Sequence, residues 1–213
     1  QGTFRPYQAR EIVTGLGVGD PPGDKAKQHA EFFNEFPQLK ERKLLLYLGR
    51  MHPKKGLDLL IRSFLTDCLE GETLVLAGPL EKPDRYLTKL LNQTKGMEDK
   101  IVWTGMLSDD LKWGSLRSAD ALILPSHQEN YGMVVAEALS VGTPVFLTEK
   151  VNLWREVTKA GAGFVAGDDQ SGIDRLLEDW RTNRHAGMRQ ASITCFEEKL
   201  HIRNCAKRLI ELL

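Results

Sequence analysis

From Lys43 onward, short runs of mostly apolar residues alternate with longer amphipathic stretches. Apolar runs of this length, bounded by glycine or polar residues, are typical of parallel strands that are covered on both faces of a sheet. The pattern predicts six strands, at Leu44–Leu48, Thr73–Ala77, Ile101–Thr104, Ala121–Leu124, Val145–Leu147 and Gly163–Val165.

The stretches between these runs carry apolar residues at three- and four-residue spacing, which indicates helices packed on one face. The predicted helices are Gln28–Phe36, Leu57–Cys68, Asp84–Thr94, Asp109–Arg117, Gly132–Val141, Leu153–Lys159, Ser171–Asn183, Ala186–Ser192 and Phe196–Leu213. Strand alternating with helix predicts an α/β fold. We expect a Rossmann-like, doubly wound parallel sheet of about six strands with helices on both faces.

Length and composition predict one ordinary globular domain. We divide it into an irregular lead-in (1–42), a Rossmann-like core (43–195) and a closing helix (196–213). The formal net charge is zero, which argues against a nucleic-acid partner. No apolar run is long enough for a transmembrane helix, and no signal peptide is recognisable. The three cysteines lack metal or redox spacing, so we expect free thiols in a reducing, cytoplasmic setting.

The predicted helix Gly132–Val141 is almost entirely apolar, with Glu137 in its middle. An unpaired carboxylate in such a place is costly, so Glu137 needs a hydrogen-bonding partner. Glu129 lies in the preceding loop, and the backbone N–H groups of Tyr131–Val134 form a helix N-terminus, which favours anions. Two carboxylates that flank an anion site suit a ligand with hydroxyls on both sides of a phosphate, as in a nucleotide sugar.

Glycine follows the first three predicted strands, as Gly49, Gly78 and Gly105. Ligands of open parallel sheets bind beyond the carboxyl ends of the strands, where glycine allows the backbone to approach closely. Arg50 follows Gly49, and Lys55 precedes the next helix. A guanidinium and an ammonium group there would match a diphosphate. No cluster of histidine, cysteine or acidic residues has metal-ligand spacing, so we predict no metal.

Taken together, these motifs resemble the C-terminal domain of family 4 glycosyltransferases, which are retaining enzymes of the two-Rossmann-domain, glycogen-phosphorylase-like (GT-B) architecture. The resemblance covers roughly residues 43–196. It rests on Gly49-Arg50 through Lys55-Gly56, on Glu129 and Glu137 in ENYGMVVAE, on AGP at Ala77–Pro79, on TGML at Thr104–Leu107 and on SADALILPS at Ser118–Ser126.

The resemblance implies that Arg50 and Lys55 bind the donor diphosphate and stabilise the leaving group, and that Glu129 contacts the transferred sugar. Glu137 would then bind the ribose hydroxyls. The other implied donor-binding residues are Gly49, Gly78, Met106, Leu107, Asn130, Tyr131, Gly132, Met133 and Val134. Positive side chains would act in place of a metal. The implied donor is a UDP-sugar, with UDP-glucose favoured and GDP-mannose and ADP-glucose left open.

In the family, an N-terminal domain binds the acceptor, which here would be a saccharide or a lipid-linked molecule. No counterpart of that domain precedes residue 43, and the chain starts with Gln1, so we expect a piece of a longer protein that binds donor but transfers sugar poorly. The full-length protein could associate peripherally with a membrane. Two alternatives remain open, namely a nucleotide-sugar isomerase of the 2-epimerase type and a non-catalytic nucleotide-binding module.

Overall fold

The computed structural model describes residues 16–81 and 83–211. All six predicted strands are present, each within about one residue of its predicted ends. They are β1 Lys43–Leu48, β2 Glu72–Ala77, β3 Ile101–Gly105, β4 Ala121–Leu124, β5 Val145–Thr148 and β6 Gly163–Ala166. The described helices are α1 Lys25–Glu35, α2 Leu57–Thr66, α3 Arg85–Gln93, α4 Asp109–Ser118, α5 Met133–Ser140, α6 Trp154–Ala160, α7 Gln170–Arg181, α8 Arg189–Cys195 and α9 Ile202–Ile210.

The strands form one parallel sheet in the order β3-β2-β1-β4-β5-β6. The chain therefore moves outward from β1 to β3 and then returns to place β4 on the other side of β1. This reversal creates a crevice beyond the carboxyl ends of β1 and β4, the usual ligand position in doubly wound sheets. The predicted Rossmann-like α/β fold is confirmed.

Two groups of helices cover the sheet. Helix α2 packs against α3 and α7, whereas α4 packs against α1 and α5, and α8 packs against α5 and α6. Right-handed crossovers put these groups on opposite faces, because the direction of strand addition reverses between β3 and β4. The central strands β1, β2, β4 and β5 are buried almost throughout, which explains why their sequences lack polar alternation.

Residues before Lys43 contribute more than an irregular lead-in. The helix predicted at Gln28–Phe36 is present as α1, and it begins at an N-cap where the Asp24 side chain accepts from the Lys27 N–H at 2.7 Å. Phe32 on α1 is 1% exposed and belongs to the main core. The part of the lead-in before residue 16 lies outside the described residues.

The single closing helix predicted from Phe196 is wrong. A π-helical turn at Phe196–Leu200 ends at His201, which is extended, and α9 begins after it. The break arises because Val18 pairs with this segment: its N–H donates to Leu200 O at 2.9 Å, and its carbonyl accepts from Ile202 N–H at 3.0 Å. A continuous helix would use those two groups for its own hydrogen bonds.

The three cysteines are free thiols. In the part of the chain that the structure describes, no helix combines the length and the apolar character that crossing a bilayer requires.

Candidate nucleotide-sugar site

A cavity of about 530 Å³ opens at the carboxyl ends of β1 and β4, in the crevice that the strand order predicts. Most of the sequence-predicted site residues line it, together with Lys112, which the sequence analysis did not single out. The lining residues are Tyr47, Leu48, Gly49, Arg50, Lys55, Lys112, Leu124, Glu129, Asn130, Tyr131, Gly132, Met133, Val134 and Glu137.

The end of β1 holds Arg50 at the mouth of this cavity. Tyr47 is fully buried, and its hydroxyl donates to the backbone carbonyl of Arg50 at 2.7 Å. This bond fixes the turn that leaves the strand, while the Arg50 side chain is exposed. Its guanidinium forms no hydrogen bond or ion pair with any residue that the structure describes. Arg50 is therefore available to an anionic ligand.

The next turn brings Lys55 against the end of β4. Gly56 adopts a left-handed conformation (φ 67°), and a Cβ on it would lie 2.1 Å from the carbonyl oxygen of Pro125. Any other residue would push the two loops apart. The His127 N–H also donates to the Lys54 carbonyl at 2.8 Å. These contacts join the loop after β1 to the loop after β4, and Lys55 becomes buried between them.

The loop between β4 and α5 is held on its other side by the segment after β5. The Glu129 N–H donates to the Lys150 carbonyl at 3.1 Å. The Asn152 side-chain amide donates to the Asn130 carbonyl at 2.6 Å. One backbone and one side-chain hydrogen bond from this segment thus position Glu129 and Asn130, so their placement does not depend on a ligand.

Helix α5 begins at the cavity without a side-chain cap. Its N-cap is Gly132, in a left-handed conformation (φ 78°), and no described residue accepts a hydrogen bond from the N–H groups of Gly132, Met133 or Val134. Unpaired N–H groups at a helix N-terminus favour an anion. Tyr131 lies beside them with its hydroxyl bonded to the Leu16 carbonyl, and partial burial raises the pKa of Tyr131 to about 12.

Both glutamates of the predicted pair face the cavity, and each is bonded to a lysine. The Lys55 ammonium bonds the carboxylate of Glu129. The Lys112 ammonium bonds Glu137 Oε1 at 2.6 Å. The partner that the sequence required for Glu137 is therefore a cation from the neighbouring helix α4, although no motif marks it. The sequence carries no signal that singles out Lys112, because the packing of α4 against α5 is known only from the structure.

Three of the predicted donor-binding residues do not line the cavity. Met106 and Leu107 follow β3 at the edge of the sheet, and Met106 is 77% exposed. Gly78 is buried, and a Cβ on it would lie 1.9 Å from the Gly49 carbonyl oxygen. The backbone that approaches Gly78 is thus that of the neighbouring strand end, which accounts for this glycine without a ligand. The family resemblance implies that the backbone of Met106 and Leu107 holds the base of the donor and that Gly78 contributes to donor binding, and both roles remain predictions.

A metal ion bound at this site would need ligand side chains grouped around it. Among the described residues, no three histidine, cysteine or acidic side chains are grouped as a metal ion would require. The positive charges at the cavity come from Arg50, Lys55 and Lys112.

Solved structures share this fold. A glycosyltransferase from Rickettsia africae superposes with a TM-score of 0.81 at 14% identity, covering 94% of this chain and 56% of that one. Anabaena HepE in complex with UDP superposes with a TM-score of 0.73 at 19% identity, covering 87% of this chain and 52% of that one. At such identities the likeness concerns the fold alone.

Sequence relatives are closer. An uncharacterised glycosyltransferase of Methanocaldococcus jannaschii is 33% identical over 147 residues, which are 66% of this chain and 37% of the relative. Mannosylfructose-phosphate synthase of Agrobacterium fabrum is 36% identical over 126 residues, 55% of this chain and 28% of that enzyme. The chain spans less than half the length of either relative.

The family model of glycosyl transferases group 1 matches residues 28–192. That range contains the whole six-stranded sheet and every residue that lines the cavity. The chain belongs to the glycosyl transferases group 1 family.

Proposed function

We propose that this chain is the donor-binding domain of a retaining glycosyltransferase, and that it binds a UDP-sugar, with glucose as the first candidate. The proposal depends on three features of one cavity. They are the Arg50 guanidinium and the N–H groups at the start of α5, neither of which has a partner among the described residues, and two lysine–glutamate pairs. This arrangement offers cations and N–H donors to a diphosphate, and carboxylate oxygens to hydroxyls on either side of it.

Binding would exchange one set of partners for another. Lys55 would turn from Glu129 to the donor diphosphate, and Arg50 would add a second charge-assisted contact. Glu129, released from Lys55, would accept hydrogen bonds from hydroxyls of the transferred sugar. Glu137, deeper along α5, would accept from the ribose hydroxyls. Glu129 then keeps a hydrogen-bonding partner in both states, which lowers the cost of opening its ion pair with Lys55.

The same groups would assist transfer. As the bond between sugar and diphosphate breaks, negative charge accumulates on the leaving diphosphate, where Arg50, Lys55 and the α5 N–H groups can stabilise it. These groups supply positive charge without a metal. Two relatives are named D-inositol 3-phosphate glycosyltransferase (Frankia alni) and phosphatidyl-myo-inositol mannosyltransferase (Mycobacterium leprae), and these names support an acceptor with several hydroxyls, either free or lipid-linked.

The proposal is tested by titrating the chain with UDP, GDP, ADP and their glucose or mannose derivatives in a calorimeter, with EDTA present throughout. We expect UDP and UDP-glucose to bind in the micromolar to millimolar range, and more tightly than the other nucleotides. A purine nucleotide that binds more tightly would correct the donor, and no binding by any nucleotide would refute the proposal.

A further inference from the structure

Lys112 is a cavity residue to which neither the motifs nor the family resemblance assigns a role. It projects from α4, whereas the acidic group that it meets is on α5. Its side chain is 24% exposed and that of Glu137 is 16% exposed, so solvent screens their ion pair only partly. The pair therefore lies on the inner wall of the cavity rather than at the rim.

Two contacts hold the Lys112 ammonium. It donates to Glu137 Oε1 at 2.6 Å, and it lies 5.1 Å from the centroid of the Trp113 ring. Trp113 is buried in the main core. Attraction to the carboxylate and to the aromatic face both restrain the ammonium, which in turn orients the carboxylate that accepts from it.

The bond to Lys112 uses one carboxylate oxygen. No described residue hydrogen-bonds Glu137 Oε2, which leaves that oxygen to accept from a ligand. Lys112 also offsets the negative charge of Glu137, which would otherwise repel a diphosphate bound at the nearby start of α5. The fixed orientation favours a ribose hydroxyl at Oε2, and the charge compensation favours the diphosphate beside it.

We infer that Lys112 is a positioning residue that makes Glu137 selective for a nucleotide with free ribose hydroxyls. The inference rests on the proposed function, because it assumes that the cavity takes a nucleotide. Recognition of the ribose then requires the Lys112–Glu137 pair rather than Glu137 alone. A direct contact between Lys112 and the base or the phosphates is the competing role.

The test compares the affinities of UDP and 2′,3′-dideoxy-UDP for the wild-type chain and for Lys112→Met, which retains the length of the side chain without its charge. We expect the wild type to prefer UDP by about tenfold or more, the range of a hydrogen bond to a charged acceptor. In Lys112→Met this ratio should fall by about threefold or more. Lys112→Arg should restore most of it, since the cation returns.

Controls separate the possible roles. Lys89→Met removes an exposed lysine on α3 that does not line the cavity, and it should leave the ratio unchanged. In Glu137→Gln, adding Lys112→Met should lower the ratio of UDP to 2′,3′-dideoxy-UDP affinity little further, because each change alone already removes the Lys112–Glu137 pair. If Lys112→Met does not fold, Lys112→Gln serves in its place, and melting temperatures identify a variant that is merely unstable.

An equal loss of affinity for both nucleotides, with the ratio unchanged, would overturn the inference and assign Lys112 to the base or the phosphates. That result would leave the proposed function intact. Absence of nucleotide binding by the wild type would overturn both.

Discussion

Replacing Arg50 and Lys55 together by alanine is expected to weaken UDP binding by about a hundredfold or more, while uridine binding changes by less than about threefold. Each charge-assisted hydrogen bond to the diphosphate contributes about 1.5–3 kcal/mol, and about 1.4 kcal/mol corresponds to tenfold in affinity. Uridine lacks the diphosphate, so it should be insensitive to the change. Calorimetric titration of both ligands against both proteins measures the difference.

Two features of the structure make this effect large. The Arg50 guanidinium has no partner among the described residues, so it need not break a bond before it meets a phosphate. Lys55 is paired with Glu129, and replacing Lys55 by alanine leaves the negative charge of Glu129 without a nearby cation, beside the diphosphate. The alanine variant therefore loses an attraction and gains a repulsion at the same place.

Lys54 provides the matched control for charge. It is the neighbour of Lys55 on the same turn, but its side chain is exposed and lines only an adjoining pocket of about 300 Å³, not the 530 Å³ cavity. Lys54→Ala should change UDP affinity by less than about threefold, as expected for a screened surface charge. If Lys54→Ala lost as much UDP affinity as the double variant, the effect would come from overall positive charge rather than from direct contacts. If the double variant lost equal affinity for UDP and uridine, the diphosphate would bind elsewhere.

The two glutamates are expected to respond differently to substitution by glutamine. Glu137→Gln should weaken UDP and UDP-glucose alike, by about tenfold or more, because the ribose is common to both ligands. Glu129→Gln should weaken UDP-glucose by a similar factor but tighten UDP, by about fivefold, equivalent to about 1 kcal/mol.

The opposite sign for UDP follows from the ion pair between Lys55 and Glu129. When UDP binds, Lys55 turns to the diphosphate, and no sugar hydroxyl is present to satisfy the Glu129 carboxylate. A neutral glutamine removes that unpaired charge and frees Lys55. In UDP-glucose the carboxylate is satisfied by the sugar, so its loss costs affinity. The ratio of the two affinities therefore falls in Glu129→Gln and stays constant in Glu137→Gln.

Melting temperatures separate this interpretation from a purely structural one. If Glu129 only stabilises the start of α5, its replacement costs about 0.3–1 kcal/mol of stability and leaves both affinities as they were. An unchanged ratio of UDP-glucose to UDP affinity in Glu129→Gln would contradict its assignment to the transferred sugar.

The sheet could be predicted from the sequence because its strands are buried on both faces. Runs such as Ala121–Leu124 have no polar alternation, and only a parallel strand between two helix layers accounts for a series of them. The position of the cavity then follows from the strand order. Because β4 lies beside β1, on the side opposite β2, Arg50 at the end of β1 lies next to the loop that follows β4.

Contacts between elements that are distant in the sequence could not be predicted from local patterns of apolar and polar residues. Lys112 is separated from Glu137 by 25 positions, and nothing local marks it as the partner. The break at His201 depends on pairing with Val18, near the other end of the described chain. Gly78 is a further case, because a strand-end glycine can accommodate either a ligand or a neighbouring strand, and only the structure shows that a Cβ there would meet the Gly49 carbonyl.

We propose that the diphosphate of a nucleotide sugar binds between Arg50, Lys55 and the start of α5, and a crystal structure of the chain with UDP and EDTA is the decisive measurement. We expect phosphate oxygens within hydrogen-bonding distance of the Arg50 and Lys55 side chains and of the N–H groups of Gly132–Val134, with the ribose at Glu137. The proposed site would be wrong if the nucleotide bound elsewhere, for instance in the groove between α6 and α8 that Lys159 and Lys199 line, or if it bound only when a divalent cation replaced EDTA.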